Sequence, residues 1–209
     1  MKKNNVIIAI SAIAPTKSIT ALMTFTLVVL LGMAGCKDSG TSGNHHRQPS
    51  FGVAGAPYDL QFIDTMVVHH QGAIDMAKMA ESKALQAELK GFAKKSVVDQ
   101  EREIDQMRQW REQWYAKKPK AENMELPGMR DSMKGMDMAH MMTRKGADFD
   151  RMFLDMMIPH HLGAVTMAKD AMSKSEHPEI KTLAQQIIDA QQKEIEMMNK
   201  WKAEWRGAK

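Results

Sequence analysis

Two His-His pairs, His69-His70 and His160-His161, stand among methionines in this 209-residue chain. Met66 and Met76 flank the first pair, and Met157 and Met167 flank the second. Imidazole nitrogen and thioether sulfur are both metal donors. The thioether is soft and uncharged and needs no deprotonation to bind, so a mixed His/Met set selects Cu(I) or Ag(I). The chain holds 21 Met and a single Cys. Thioether is thus abundant where thiolate is not. Zn(II) fits less well, because it prefers Cys, His and carboxylate and none of its usual spacings occurs.

Adjacent residues of a helix differ by about 100° around its axis, so both members of a pair cannot point straight at one core. One can face the centre while the other faces a neighbouring helix. Met66 lies four residues before His70 and Met157 four before His161, each on a shared helical face. Met107 and Met198 can add sulfur from a second helix in each half, with Glu103 and Glu194 one turn away. A third donor group sits between the halves: Met136, Met138, His140 and Met141, in a polar stretch that also holds Met124, Met129, Met133 and Met142. Thioethers also keep their function in an oxidising compartment, where free thiols are lost to disulfides.

These residues belong to one unit written twice, at a constant offset of 91 positions with no gap. Asp59, Phe62, Asp64, Met66, His69, His70, Gly72, Ala73, Met76 and Ala77 recur as Asp150, Phe153, Asp155, Met157, His160, His161, Gly163, Ala164, Met167 and Ala168. Glu103, Ile104, Met107, Trp110 and Trp114 recur as Glu194, Ile195, Met198, Trp201 and Trp205. Phe62, Met66, His69, Ala73 and Met76 step by four and three, the period of one helix face. Each copy therefore reads as a helical hairpin, and no stretch alternates with the period of a strand. Four helices are expected, over about 58–82, 85–116, 148–173 and 178–206. A lone hairpin would leave its apolar stripe wet, so the two should pack as an all-α four-helix bundle. The predicted organisation is repeat one over 58–116, a Met-rich linker over 117–147 and repeat two over 148–206. Gly72 and Gly163 inside helices, and Pro159 just before His160, break local helix rules beside the candidate site.

The front of the chain reads as an address. Lys2, Lys3 and Lys17 precede an uncharged apolar run from Ile19 to Leu31, long enough for a signal peptide and short for a spanning helix. Met33-Ala34-Gly35-Cys36 resembles a bacterial lipobox. It implies a signal peptide over 1–35, lipidation of Cys36 and a flexible tether over 36–57. The expected place is the bacterial cell envelope, as a lipid-anchored protein facing the periplasm. With the sole Cys lipidated, neither a disulfide scaffold nor a thiolate site is available. The net charge of +4 is mostly this leader; from Cys36 onward there are 26 basic and 25 acidic residues. Such a balanced surface gives no footprint for nucleic acid.

The stretch Asp150 to Ala168, the linker Leu126-Pro127-Gly128-Met129 and the closing Glu194-Ile195-x-x-Met198 resemble the family catalogued as domain of unknown function 305, the CopM-like proteins. The likeness spans Pro57 to Arg206. It implies a ferritin-like helical fold, export, and copper or silver binding in at least one member. Carried over with the motif are His69, His70, Met66 and Met76, with His160, His161, Met157 and Met167. The first copy departs by having Val68 where the second has Pro159. The leading expectation is a non-enzymatic binder of Cu(I) or Ag(I) outside the cytoplasm, acting in sequestration, tolerance or trafficking, with copper ions, the membrane and a copper-handling protein as partners. A ferritin-like di-metal oxidoreductase is one alternative, although the Glu-x-x-His of such bundles occurs nowhere. A helical interaction module whose His and Met are plain core is the other.

Overall fold

The computed structural model describes residues 53–205. Four long helices dominate: α1 (Tyr58–Lys83), α2 (Ala87–Tyr115), α5 (Ala147–Lys174) and α6 (Pro178–Glu204). Two short ones, α3 (Met129–Met133) and α4 (Met138–Thr143), lie between the hairpins. The fold is all-α, as the periodicity predicts. Among the described residues the β pairing is an isolated bridge between Ala84 and Gly146. The leader and Cys36 lie outside the described residues, as does most of the expected tether.

Helix α1 packs along α2 and α5 along α6, giving the two expected hairpins, and α1 packs on α5 to join them. The hydrophobic core divides into two parts. One contains Met76, Phe92, Phe149, Phe153, Met157 and Met198; the other contains Phe62, Ile63, Met66, Met107, Met167 and Leu183. The 91-residue repeat exchanges Met76, Met157 and Met198 with Met167, Met66 and Met107. The two parts are therefore the two ends of one pseudo-twofold arrangement. On one side of the bundle α2 and α6 leave between them a polar cavity of about 440 Å³, lined by Ser96, Gln100, Glu103, Gln191 and Glu194.

The hairpins are locked to each other at their turns. Asp150, in the first turn of α5, accepts hydrogen bonds from the backbone N–H groups of Leu85 (2.9 Å) and Gln86 (3.0 Å), just before α2 begins. Asp59, in the first turn of α1, does the same for His177 (3.0 Å) and Glu176 (3.1 Å) ahead of α6. Both carboxylates are 2% exposed. Each helix start needs acceptors for N–H groups that have no partner within the helix. Here they come from the other hairpin, so neither turn is satisfied unless the hairpins dock. This long-range bond also explains why α2 begins at Ala87 rather than at the expected 85.

The linker folds back onto the bundle. Asp64 accepts from Arg111 (2.9 Å) and from the backbone N–H of Ala121 (2.8 Å), and Thr65 accepts from that of Asn123 (2.8 Å). Gly128, at a positive φ of 88°, sits against α5 at Gly163. A Cβ at Gly163 would overlap Ser132 and come within 2.6 Å of the Gly128 carbonyl oxygen. Both glycines are required by this close approach. Removing Asp150 (Asp150→Ala) should lower stability by about 1–2 kcal/mol, since two N–H groups lose their acceptor. Urea unfolding measures this; a loss below about 0.5 kcal/mol would show that the caps do not hold the hairpins together.

Candidate metal centre

The spacing argument leaves open which histidine of each pair turns inward; the packing of α1 on α5 decides it. The rings of His69 and His160 meet between those helices, with centroids 3.7 Å apart and planes tilted by 35°. Gly72 faces them: a Cβ there would lie 3.4 Å from His160 Nε2, in ordinary van der Waals contact. His70 and His161 turn instead toward the partner helix of their own hairpin. His70 Nε2 lies 2.6 Å from Glu103 Oε2 on α2, and His161 Nε2 lies 2.8 Å from Glu194 Oε2 on α6. All four rings are at most 1% exposed.

A carboxylate can only accept, so Nε2 of His70 and of His161 carries the proton and donates it. In the neutral ring Nδ1 is then a bare lone pair. Nδ1 of His70 and His161, and both nitrogens of His69 and His160, are buried without a hydrogen-bond partner. Six such atoms in one layer are unusual, because buried polar atoms are nearly always paired. Burial pushes the pKa of His69 and of His160 well below the usual histidine range, and the neighbouring imidazoles push it further. Both rings are neutral, with lone pairs free to donate. The residues present therefore fit a metal ion: a buried cluster of imidazole nitrogens, with two of the rings backed by carboxylates.

Met66, Met76, Met107, Met157, Met167 and Met198 are all at most 1% exposed. Each core part receives three of them, one from each of three long helices, and each takes one fully buried linker sulfur: Met141 joins Met76, Met157 and Met198, and Met129 joins Met66, Met107 and Met167. Met136 and Met138 are partly buried against the first part. His140 is not brought to the histidine layer. It is exposed, and its Nε2 accepts a hydrogen bond from Arg144 Nε (3.0 Å). Among the described residues, no three His, Cys, Asp or Glu side chains converge closely enough to hold an ion by themselves. The site reading from sequence missed the pairing of Glu103 and Glu194 with the histidines, although their recurrence 33 residues after His70 and His161 was a visible signal.

The family described as Domain of unknown function (DUF305) matches residues 59–206. The chain belongs to the DUF305 family. CopM in its Cu(I)-bound form is similar in structure, with a TM-score of 0.62 and 40% sequence identity over 73% of this chain and all of that one. CopM co-crystallised with silver gives a TM-score of 0.61 and 41% identity, covering 71% of this chain and 98% of that one. A DUF305 protein from Streptomyces coelicolor gives 0.65 and 27% identity, covering 71% and 94%. An uncharacterized protein of Acanthamoeba polyphaga mimivirus is 48% identical over 50 residues, which is 24% of this chain and 33% of that protein. The chain thus spans about a third of that viral relative.

The depressed histidine pKa values have a consequence for the stability of this DUF305 bundle. The unfolded chain binds protons near pH 6.5, the folded His69 and His160 only well below it. Their contribution is complete above about pH 6.5 and is lost as the pH falls through and below that value. The loss is at most about 1.4 kcal/mol per pH unit for each ring. Urea midpoints measured without metal should fall between pH 7.5 and 5.5, and His69→Leu with His160→Leu should flatten that slope. An equal slope in wild type and variant would show that these rings do not set it.

Proposed function

We propose that this protein binds Cu(I), or the chemically similar Ag(I), outside the cytoplasm and sequesters or relays it. The observation that carries this reading is the layer of six buried, unpartnered imidazole nitrogens between two symmetric sets of buried thioethers. Neutral nitrogen and thioether donors in a dry setting suit a soft monovalent ion. His69, His70, His160 and His161 would supply nitrogen, and Met66, Met76, Met107, Met157, Met167 and Met198 sulfur. Met136, Met138 and His140 are proposed as outer donors that feed the core, and Met141, buried within it, as a further sulfur donor. In support, CopM, a 40% identical protein, has been solved with Cu(I), with Cu(II) and with silver.

The address at the front supports the same reading. We place lipidation at Cys36 and the bundle on the periplasmic side of a bacterial membrane, where thioethers outlast thiols as copper donors. No helix among the described residues is long and apolar enough to cross a membrane. A helical bundle from the same family is described as a secreted protein. The partners on this reading are copper ions, the membrane through the lipid anchor, and a copper-handling protein that accepts or supplies the ion. A di-metal oxidoreductase reading has less to draw on. The carboxylates that meet the histidine layer are Glu103 and Glu194, one per hairpin, each already held by an imidazole.

Competition against a Cu(I) chelator, with the purified full chain, tests the proposal. Binding tighter than micromolar is expected, and copper should raise the thermal midpoint, because a ligand of the native state alone must stabilise it. Two double variants, His69→Leu with His160→Leu and His70→Leu with His161→Leu, should each weaken binding at least tenfold. Wild-type affinity in both variants, or no binding tighter than micromolar in the wild type, would remove the copper reading.

A further inference from the structure

Each histidine that turns away from the α1–α5 contact ends on a carboxylate. His70 reaches Glu103 across the first hairpin and His161 reaches Glu194 across the second, at 2.6 and 2.8 Å. The histidines are fully buried, whereas Glu103 and Glu194 keep 14% and 17% of their side chains exposed, at the polar cavity between α2 and α6. The two dyads thus connect solvent to the dry histidine layer, and they are related by the internal repeat.

A neutral imidazole has one N–H, and whichever nitrogen keeps it cannot bind a metal. A carboxylate bonded to Nε2 settles that choice, since it stabilises the tautomer with the proton on Nε2 and leaves Nδ1 bare. Here Nδ1 of both rings is buried and unpartnered. Metal-bound histidines generally donate their second nitrogen to a carboxylate, carbonyl or water, which fixes the ring and raises its basicity. The same geometry is present here on both sides of the pseudo-twofold.

We propose that Glu103 and Glu194 are positioning residues for the metal centre, each holding its histidine as the Nε2–H tautomer so that Nδ1 of His70 and of His161 is presented as a donor. The inference rests on the proposed copper reading and adds the residues that prepare the ligands. Neither carboxylate is itself a ligand. A merely structural bond would fix the same tautomer but leave Cu(I) affinity unchanged on its removal; a positioning pair ties tautomer and affinity together.

Glu103→Gln and Glu194→Gln separate the two roles. Glutamine keeps the shape, but its amide can donate as well as accept, so it releases the tautomer. Long-range nitrogen–proton NMR spectra of the metal-free full chain should show His70 and His161 as Nε2–H in the wild type. E103Q should turn His70, and E194Q should turn His161, into a mixture that includes Nδ1–H. Each variant should lose 10- to 100-fold in Cu(I) affinity, about the usual effect of removing such a partner. Nδ1–H rings in the wild type would overturn the inference, and that measurement needs no variant to fold. Wild-type Cu(I) affinity in both E103Q and E194Q would overturn it too, leaving the copper reading intact. A wild type that binds no Cu(I) removes the copper reading, and this inference with it.

Discussion

Where α1 meets α5, two tilted imidazoles lie with centroids 3.7 Å apart and no hydrogen bond to either ring, buried from solvent by the surrounding bundle. Leaving so many polar atoms unpaired costs about 1–3 kcal/mol apiece, so the contact survives only if other interactions force the helices together. Several do. Asp59 and Asp150 tie each hairpin's turn to the opposite hairpin. Gly163 lets the linker turn close over α5. The apolar ends of the bundle, rich in Phe and Met, flank the histidine layer and supply most of the burial. The unpaired ring nitrogens concentrated at the histidines are a departure from ordinary packing of the kind expected at a functional site.

Much of this was readable without coordinates because the gene repeats itself. The 91-residue offset, with helical spacing inside each copy, gave the four long helices with ends within about two residues of those observed. It also brought the two His pairs onto equivalent helices. What stayed hidden depends on contacts between segments far apart in the chain. The 100° step between adjacent residues cannot say which histidine faces inward, because that is decided by how α1 crosses α5. Glu103 reads from sequence as a neighbour of Met107 one turn along α2, whereas its contact is with His70 in another helix. The Met-x-x-Met linker reads as a donor-rich tether. Its Met129 and Met141 are buried in the core, which gives those sulfurs a packing role whatever else they do. The short helices α3 and α4 were not foreseen. Gly128 in the left-handed region opens the first, and the Asp137 side chain, accepting from His140 N–H at 2.9 Å, opens the second.

Duplication has not kept the halves identical, and the differences lie at the linker. In the first copy Asp64 is buried and holds both Arg111 and the linker backbone at Ala121. Its counterpart Asp155 is exposed and bonds Lys202, the residue equivalent to Arg111, at 2.6 Å. Gly72 faces a histidine, whereas Gly163 faces the linker turn at Gly128 and Ser132. Pro159 sits within an α5 that stays helical from Ala147 to Lys174. Its counterpart Val68 is 38% exposed, so the position lies on the outer side of the helix, where a missing N–H is tolerated best. The linker meets the first half at Asp64 and Thr65 and the second at Gly163, so equivalent positions of the two halves face different partners.

The arrangement also answers how a charged ion could be carried in so dry a place. Neutral imidazoles and thioethers solvate a soft cation but cancel none of its charge, and an uncompensated buried charge is costly. Direct carboxylate ligands would compensate it, yet hard oxygen donors suit a soft ion poorly. Glu103 and Glu194 resolve the conflict from one bond away. They stand at the polar cavity between α2 and α6, where water still reaches them, and contact the core through the N–H groups of His70 and His161. On the proposed copper reading, their negative charge would lie near the ion while nitrogen and sulfur supply its contacts.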